Sequence, residues 1–164
     1  MTVKQGWTGR VFEDFVVGDV YEHPLGRTVI EADNIWFTCM TMNTNPIHFD
    51  GEYASRTEFG RRLVNSCFTL ALVTGQSVTD LTQNAVANLG WDDVRLPSPL
   101  FEGDTVYSRS EVLEARESKS RPTQGIVSVK TIGRNQDGTE VISFERTVLI
   151  AKRGHAVDDA SEHY

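Results

Sequence analysis

The sequence predicts an α+β domain: an antiparallel sheet with helices on one face. Three observations carry this. Helical patterns follow two short strand-like segments in the first half. Leu63 to Val78 (LVNSCFTLALVTGQSV) is apolar almost all round. The second half holds several runs rich in Val, Ile, Thr, Tyr and Phe. Helices grouped apart from strands mark α+β rather than alternating α/β architecture. A helix without a polar face must be covered on most sides, and a sheet wrapped around it is the economical cover.

In chain order, residues 1–8 read as an irregular arm and 9–153 as the domain. Val20 to Glu22 follows the Gly18-Asp19 turn signal as a first short strand. Leu25 to Ile30 reads as a second, with Gly26 as a bulge. Glu31-Ala32-Asp33 opens a helix, because acidic residues favour the positive end of the helix dipole. Ile35, Cys39 and Met42 fall at i, i+4 and i+7, and Trp36 and Met40 widen that apolar side. The helix stops at Asn43-Thr44-Asn45-Pro46, since proline cannot continue it and pushes Asn45 to extended geometry.

Asp50 to Glu58 is polar and reads as a short helix, ahead of the buried one. Strands are predicted at Val94 to Leu96, Thr105 to Leu113, Gly125 to Ile132 and Val141 to Ala151. In the last, Ile142, Phe144, Val148 and Ile150 alternate with period 2. Asn135-Gln136-Asp137-Gly138 is a hairpin turn, because Asp-Gly supplies positive φ. Residues 154–164 form a polar tail expected to fray.

Composition narrows the function. The chain has 164 residues, 39% hydrophobic and 24% charged, which fits one globular domain. Its net charge of −7 argues against general nucleic-acid binding. No apolar run is long enough to span a membrane, and the first residues lack a leader's apolar core. A cytoplasmic protein is expected. The two cysteines, Cys39 and Cys67, sit in apolar stretches and read as reduced core thiols. Dinucleotide, P-loop, zincin and nucleophile-elbow motifs are absent.

The densest chemistry lies in Asn43-Thr44-Asn45-Pro46-Ile47-His48-Phe49-Asp50. Of four histidines, only His48 sits in a rigid turn between apolar neighbours, where an imidazole held in one tautomer can serve as general acid or base. Asn43 and Asn45 can orient a water or a carbonyl but cannot take a proton; they suit a helix stop equally well. Asn65 and Ser66 stand where the buried helix starts. Its free amides can polarise a carbonyl there, and the same residues can serve as buried caps. The loop Arg116-Glu117-Ser118-Lys119-Ser120-Arg121-Pro122 and the pair Arg61-Arg62 are the candidate grips for phosphates, or simply solvated surface.

These residues resemble the MaoC-like dehydratases. The likeness rests on Asn43-x-Asn45-Pro46-x-His48, on Phe12-Glu13-Asp14-Phe15-x-x-Gly18-Asp19 and on Phe101-x-Gly103-Asp104-Thr105, and runs from about Gly9 to Arg153. It implies the hot dog fold, with Leu63 to Val78 as the helix the sheet wraps, paired into homodimers or dimer-based oligomers. It also implies hydration of enoyl-CoA, or dehydration of 3-hydroxyacyl-CoA, with the CoA thioester as substrate and no cofactor. His48 matches the family's catalytic histidine, and Asn45 the motif asparagine. Asn43 stands where the family has an aspartate base.

Thr-Met-Asn-Thr-Asn-Pro-x-His and the Arg116 to Pro122 loop resemble the subgroup acting on mesaconyl-CoA and β-methylmalyl-CoA. The resemblance casts His48 as the base and Asn43 as the water holder, with Asp50 or Glu52 as an alternative second proton site. Asn65 and Ser66 belong to the thioester-polarising helix start. Arg62, Lys119 and Arg121 are cations for a substrate carboxylate or CoA phosphate. A hot dog thioesterase and a non-catalytic acyl-CoA binder are the two rival readings.

Overall fold

The computed structural model describes residue 2 and residues 6–157. Five strands form an antiparallel sheet in the order β1-β3-β4-β5-β2. They are β1 Val20–Thr28, β2 Ala85–Arg95, β3 Thr105–Glu117, β4 Gln124–Arg134 and β5 Glu140–Ala151. Three α-helices, α1 Glu31–Met40, α2 Gly51–Ser55 and α3 Ser66–Gln76, lie between β1 and β2, and a π-turn over Val78–Thr82 extends α3 toward the sheet's second strand. Among the described residues, no helix is long and apolar enough to cross a membrane.

The sheet follows the sequence closely where strands are long. β3, β4 and β5 pair with few irregularities. The β4–β5 hairpin closes as expected: Gly138 takes φ 79°, and the Asn135 amide donates to the Thr139 carbonyl at 2.9 Å. The two predicted early strands are one strand. His23 pairs with Ser108 and Arg27 with Val106, so four steps on β1 oppose two on β3. The surplus is the bulge at Pro24–Gly26, tolerable because β1 is an edge where a missing N–H costs no ladder bond. Gly26 must lack a side chain, since a Cβ there would lie 2.3 Å from the Tyr107 ring.

β2 is eleven residues long, against the three predicted at Val94 to Leu96. Asn88, Gly90, Asp92 and Asp93 hid it, being residues disfavoured in strands. Its three register shifts against β5 are the cost of carrying them.

The core divides in two. One apolar cluster holds Val29, Val64, Val73, Leu100, Val106, Val141, Ile142 and Phe144. The other holds Phe15, Leu81, Val112, Val127, Val129, Val148 and Ile150. A polar row runs between them. His23 bonds Asp80 (2.8 Å) and Ser110 (2.9 Å), Ser110 meets Thr131 (2.8 Å), and Arg146 donates to Ser77 (2.8 Å). On β5 the order is Phe144, Arg146, Val148; on the helical side it is Val73, Ser77, Leu81.

Two expectations about burial are corrected. Leu63 to Val78 is not buried on most faces: α3 spans only Ser66–Gln76, with Thr69 and Val73 buried while Cys67, Ala71, Gly75 and the following Val78 are exposed. The sheet covers one side of this helix in a single chain. Cys39 and Cys67 are both exposed free thiols rather than core residues. α1 is likewise turned about. Asn34 and Thr38 are buried, while Trp36 is 66% and Met40 69% exposed. Its apolar stripe faces away from the domain because its uncharged polar stripe holds the start of α3.

At the ends, the Trp7 indole donates to the Thr79 carbonyl at 2.9 Å, which fastens the described part of the irregular arm. Ala156 packs in a small cluster with Val11 and Ala151. Residues 158–164 of the predicted tail lie outside the described residues.

Candidate active site

The motif turn is built by short side chains folding back on the main chain. Asp33 accepts from the Ile30 amide (2.9 Å) and starts α1. Met42, at φ 55°, ends it in the left-handed region. The Asn43 Oδ1 accepts from the Asn45 amide at 3.0 Å, and the Asn45 Oδ1 from the Ile47 amide at 3.2 Å. These successive turns, with Pro46 at the first position, wind a 3-10 turn over Pro46–His48. Asn45, exposed, thus serves as a cap. Asn43 has spent its oxygen and keeps its Nδ2.

His48 is buried, and its Nδ1 lies 2.8 Å from the Leu63 carbonyl oxygen. A carbonyl only accepts, so Nδ1 carries the proton and Nε2 holds the lone pair. The ring is thereby set as a base. The main chain adds a second tie, since the Leu63 amide donates to Ile47 at 3.1 Å.

Leu63 leads directly into α3. Asn65 is buried and caps the helix, its Oδ1 accepting from the Cys67 amide at 2.9 Å. The Asn65 amide donates to the Asn34 Oδ1 at 3.0 Å, and the Asn65 Nδ2 to the Thr38 hydroxyl at 3.1 Å. Those bonds leave the Ser66 and Phe68 amides as the free first-turn donors, at the positive end of the helix. Ser66 is exposed and lines a cleft of about 230 Å³ with Phe59, Leu63, Val64, Thr69 and the Leu96–Leu100 segment. A mostly apolar cleft that runs onto free helix amides, with a base held one short segment away, suits an acyl thioester better than a charged metabolite.

The predicted cations are not gathered here. Arg62 is taken up by two carboxylates: Glu102 at 2.9 Å and Glu31 at 2.6 Å. The hydrogen bond to Glu102 holds its guanidinium above the usual arginine value. Lys119 and Arg121 are exposed in the β3–β4 turn. The thirteen residues of β3 separate that turn from Glu102, roughly 40 Å at about 3.3 Å each. Within one chain they stand at the far end of the sheet from His48. Asp50 is an N-cap, its Oδ1 accepting from the Tyr53 amide at 2.9 Å.

Sequence reasoning missed Asn34, Thr38 and Glu102. The signal was present in α1, where an uncharged Asn/Thr pair at i, i+4 forms the polar stripe opposite Trp36 and Met40. Such a stripe has its hydrogen bonds to make with protein, not with water.

A sheet carrying an apolar-rich helix, with a histidine turn tied to that helix's N-terminus, defines a hot dog protein of the MaoC-like kind. Comparisons agree. The MaoC-like dehydratase of Rhodospirillum rubrum superposes with a TM-score of 0.77 at 28% identity, covering 88% of this chain and 99% of that one. A double hotdog protein of Mycobacterium tuberculosis shares the fold at a TM-score of 0.81 and 21% identity, over 96% of this chain and 46% of its own. The profile described as mesaconyl-CoA hydratase matches residues 3–163. The mesaconyl-CoA hydratase of Cereibacter sphaeroides is 34% identical over 148 residues, which is 90% of this chain and 43% of that enzyme. The chain belongs to the mesaconyl-CoA hydratase family. It spans less than half the length of that curated relative.

Proposed function

We propose that this protein is an acyl-CoA hydratase/dehydratase, adding water to an enoyl-CoA or removing it from a 3-hydroxyacyl-CoA, with mesaconyl-CoA the first substrate to try. The observation that carries the reading is the His48 Nδ1–H bond to the Leu63 carbonyl, which leaves the lone pair on Nε2 and ties the ring to the segment that leads into α3 three residues later. In the hydration direction Nε2 takes a proton from water as the oxygen bonds to C3. The electron pair of the C2–C3 double bond moves toward the thioester oxygen, where the Ser66 amide stabilises the enolate. The imidazolium returns a proton to C2, directly or through solvent, so one water is added and His48 is restored. The Asn43 Nδ2 holds the water by its oxygen. No cofactor enters this scheme.

The assembly that fits is a homodimer. β2 is an edge strand with Val86, Leu89, Trp91 and Val94 exposed, and α3 exposes Cys67, Ala71 and Gly75. An uncovered apolar edge calls for pairing, and the curated relative has room for two such units. Trp91→Glu is expected to convert a species of twice 18.3 kDa into a monomer by light scattering; an unchanged mass would reject this edge as the contact. Lys119 and Arg121 then reach the CoA of this site from a second copy. The two exposed free thiols fit a reducing, cytoplasmic setting.

The test is the enoyl-thioester absorbance with mesaconyl-CoA, crotonyl-CoA and a long-chain enoyl-CoA. Its loss without thiol release supports hydration. Thiol release from a saturated acyl-CoA marks a thioesterase instead. One observation favours a non-catalytic binder: Asn43 offers no carboxylate. Binding of CoA esters with no turnover across the panel would establish that reading and reject ours.

A further inference from the structure

We infer that Asn34 is a positioning residue that fixes both the tautomer of His48 and the spacing between that base and the α3 amides. The assignment rests on the hydration chemistry proposed above and deepens it. Asn34 is wholly buried in a helix that leaves Trp36 and Met40 exposed. Its two Nδ2 hydrogens are shared among three acceptors, the His48 carbonyl at 2.9 Å, the Glu102 Oε1 at 3.1 Å and the Leu63 carbonyl at 3.2 Å. Its Oδ1 accepts from the Asn65 amide at 3.0 Å.

Three oxygens on one side and an N–H on the other leave no ambiguity about which way the carboxamide faces. Glu102 reinforces that orientation. Its carboxylate is an acceptor only, and Arg62 holds it with Nε at 3.2 Å and Nη2 at 2.9 Å.

The oxygen that matters is Leu63's. It takes the His48 Nδ1–H through one lone pair and the Asn34 Nδ2–H through the other. A carbonyl pinned in this way can receive the imidazole proton in only one place, and so keeps the lone pair on Nε2. The other end of the same carboxamide holds the residue that caps α3. One rigid planar group of a few ångströms therefore links the main chain of the base, the oxygen that orients the base, and the helix start that stabilises the enolate. Misplacing such groups by about 1 Å is enough for a roughly 10²-fold loss of rate.

The experiment compares wild type with Asn34→Ala in two ways. By steady-state kinetics on the enoyl-CoA that wild type turns over, kcat is expected to fall about 10–100-fold with KM within about 3-fold. By 15N NMR of the imidazole, wild-type His48 is expected as the Nδ1–H tautomer and the variant as a mixture. A merely structural asparagine would lower the melting temperature while leaving both the tautomer and kcat per folded molecule in place, and that result overturns the inference. If Asn34→Ala does not fold, Asn34→Ser takes its place. Wild-type His48 found as the Nε2–H tautomer overturns it with no variant at all. A wild type that hydrates no enoyl-CoA would sink the proposed function, and the NMR comparison would still decide the role of Asn34.

Discussion

His48→Ala is expected to lower kcat for hydration by about 10²–10⁴-fold, the ordinary range for losing a positioned general base. KM should change little, because the cleft and the α3 amides bind the acyl group without the ring. The measurement is the rate of enoyl-band loss at saturating substrate, beside a thermal melt. The melt should stay close to wild type: the Leu63 carbonyl keeps its bond to Asn34, so removing the imidazole leaves no orphaned acceptor. A variant that is folded and retains more than about a tenth of the wild-type kcat would show that the proton moves through another group, Asp50 or Glu52 being the nearest in sequence.

Arg146→Met should make the protein more stable. Arg146 is 1% exposed, and among the described residues its side chain has no carboxylate partner and one hydrogen bond, to Ser77. Its Nε is buried without a partner. Burial pulls its pKa down to about 10, so it stays charged at neutral pH and charging it in the core opposes folding. The sign follows from linkage. A cation whose folded pKa lies below its unfolded value binds its proton more tightly in the unfolded chain. Stability is therefore reduced at neutral pH and regained as pH rises from about 10 toward the unfolded value.

Methionine fills similar volume with no charge to desolvate, and such replacements of buried charge gain about 1–4 kcal/mol where they are not neutral. For a domain of this size that is roughly 2–4 °C in Tm per kcal/mol. Ser77 keeps its bond to the Thr74 carbonyl at 2.7 Å, so the exchange strands no hydroxyl. Urea melts of wild type and variant check it. A loss of about 3–5 kcal/mol would mean that the assembled protein supplies Arg146 with an anionic partner.

How much was legible in the sequence depended on how far each signal was local. The hairpin at Asp137-Gly138 and the opening of α1 at Glu31 to Asp33 are decided by neighbouring residues, and each is found where expected; the end of α1 comes earlier than expected, at Met40, because Met42 turns into the left-handed region before Pro46 is reached. β2 was not legible, since its pairing with β5 overrides the poor strand preference of Asn88, Asp92 and Asp93. The burial of α3 was misread for a different reason. Apolar pattern tells which surface must be covered, not which chain covers it, so Cys67, Ala71 and Gly75 looked like core. In the site, His48 stood out because its turn is written in consecutive residues. Asn34 and Glu102 did not, because they meet His48 only through contacts spanning 14 and 68 positions.

The polar row across the core bears on placement along the helix axis. Sliding α3 by one turn, about 5.4 Å, would set Val73 against Arg146 and carry Ser77 away, leaving a guanidinium facing only methyl groups. The row therefore acts as a notch that admits the helix at a single height on the sheet. Ser66 lies eleven residues from Ser77, about 16 Å along the same rigid rod. A notch cut at one end thus sets where the amides at the other end stand against the histidine turn. Arg146→Met would blunt it, and a protein firmer by the melt can be one whose two halves of chemistry are less well aligned.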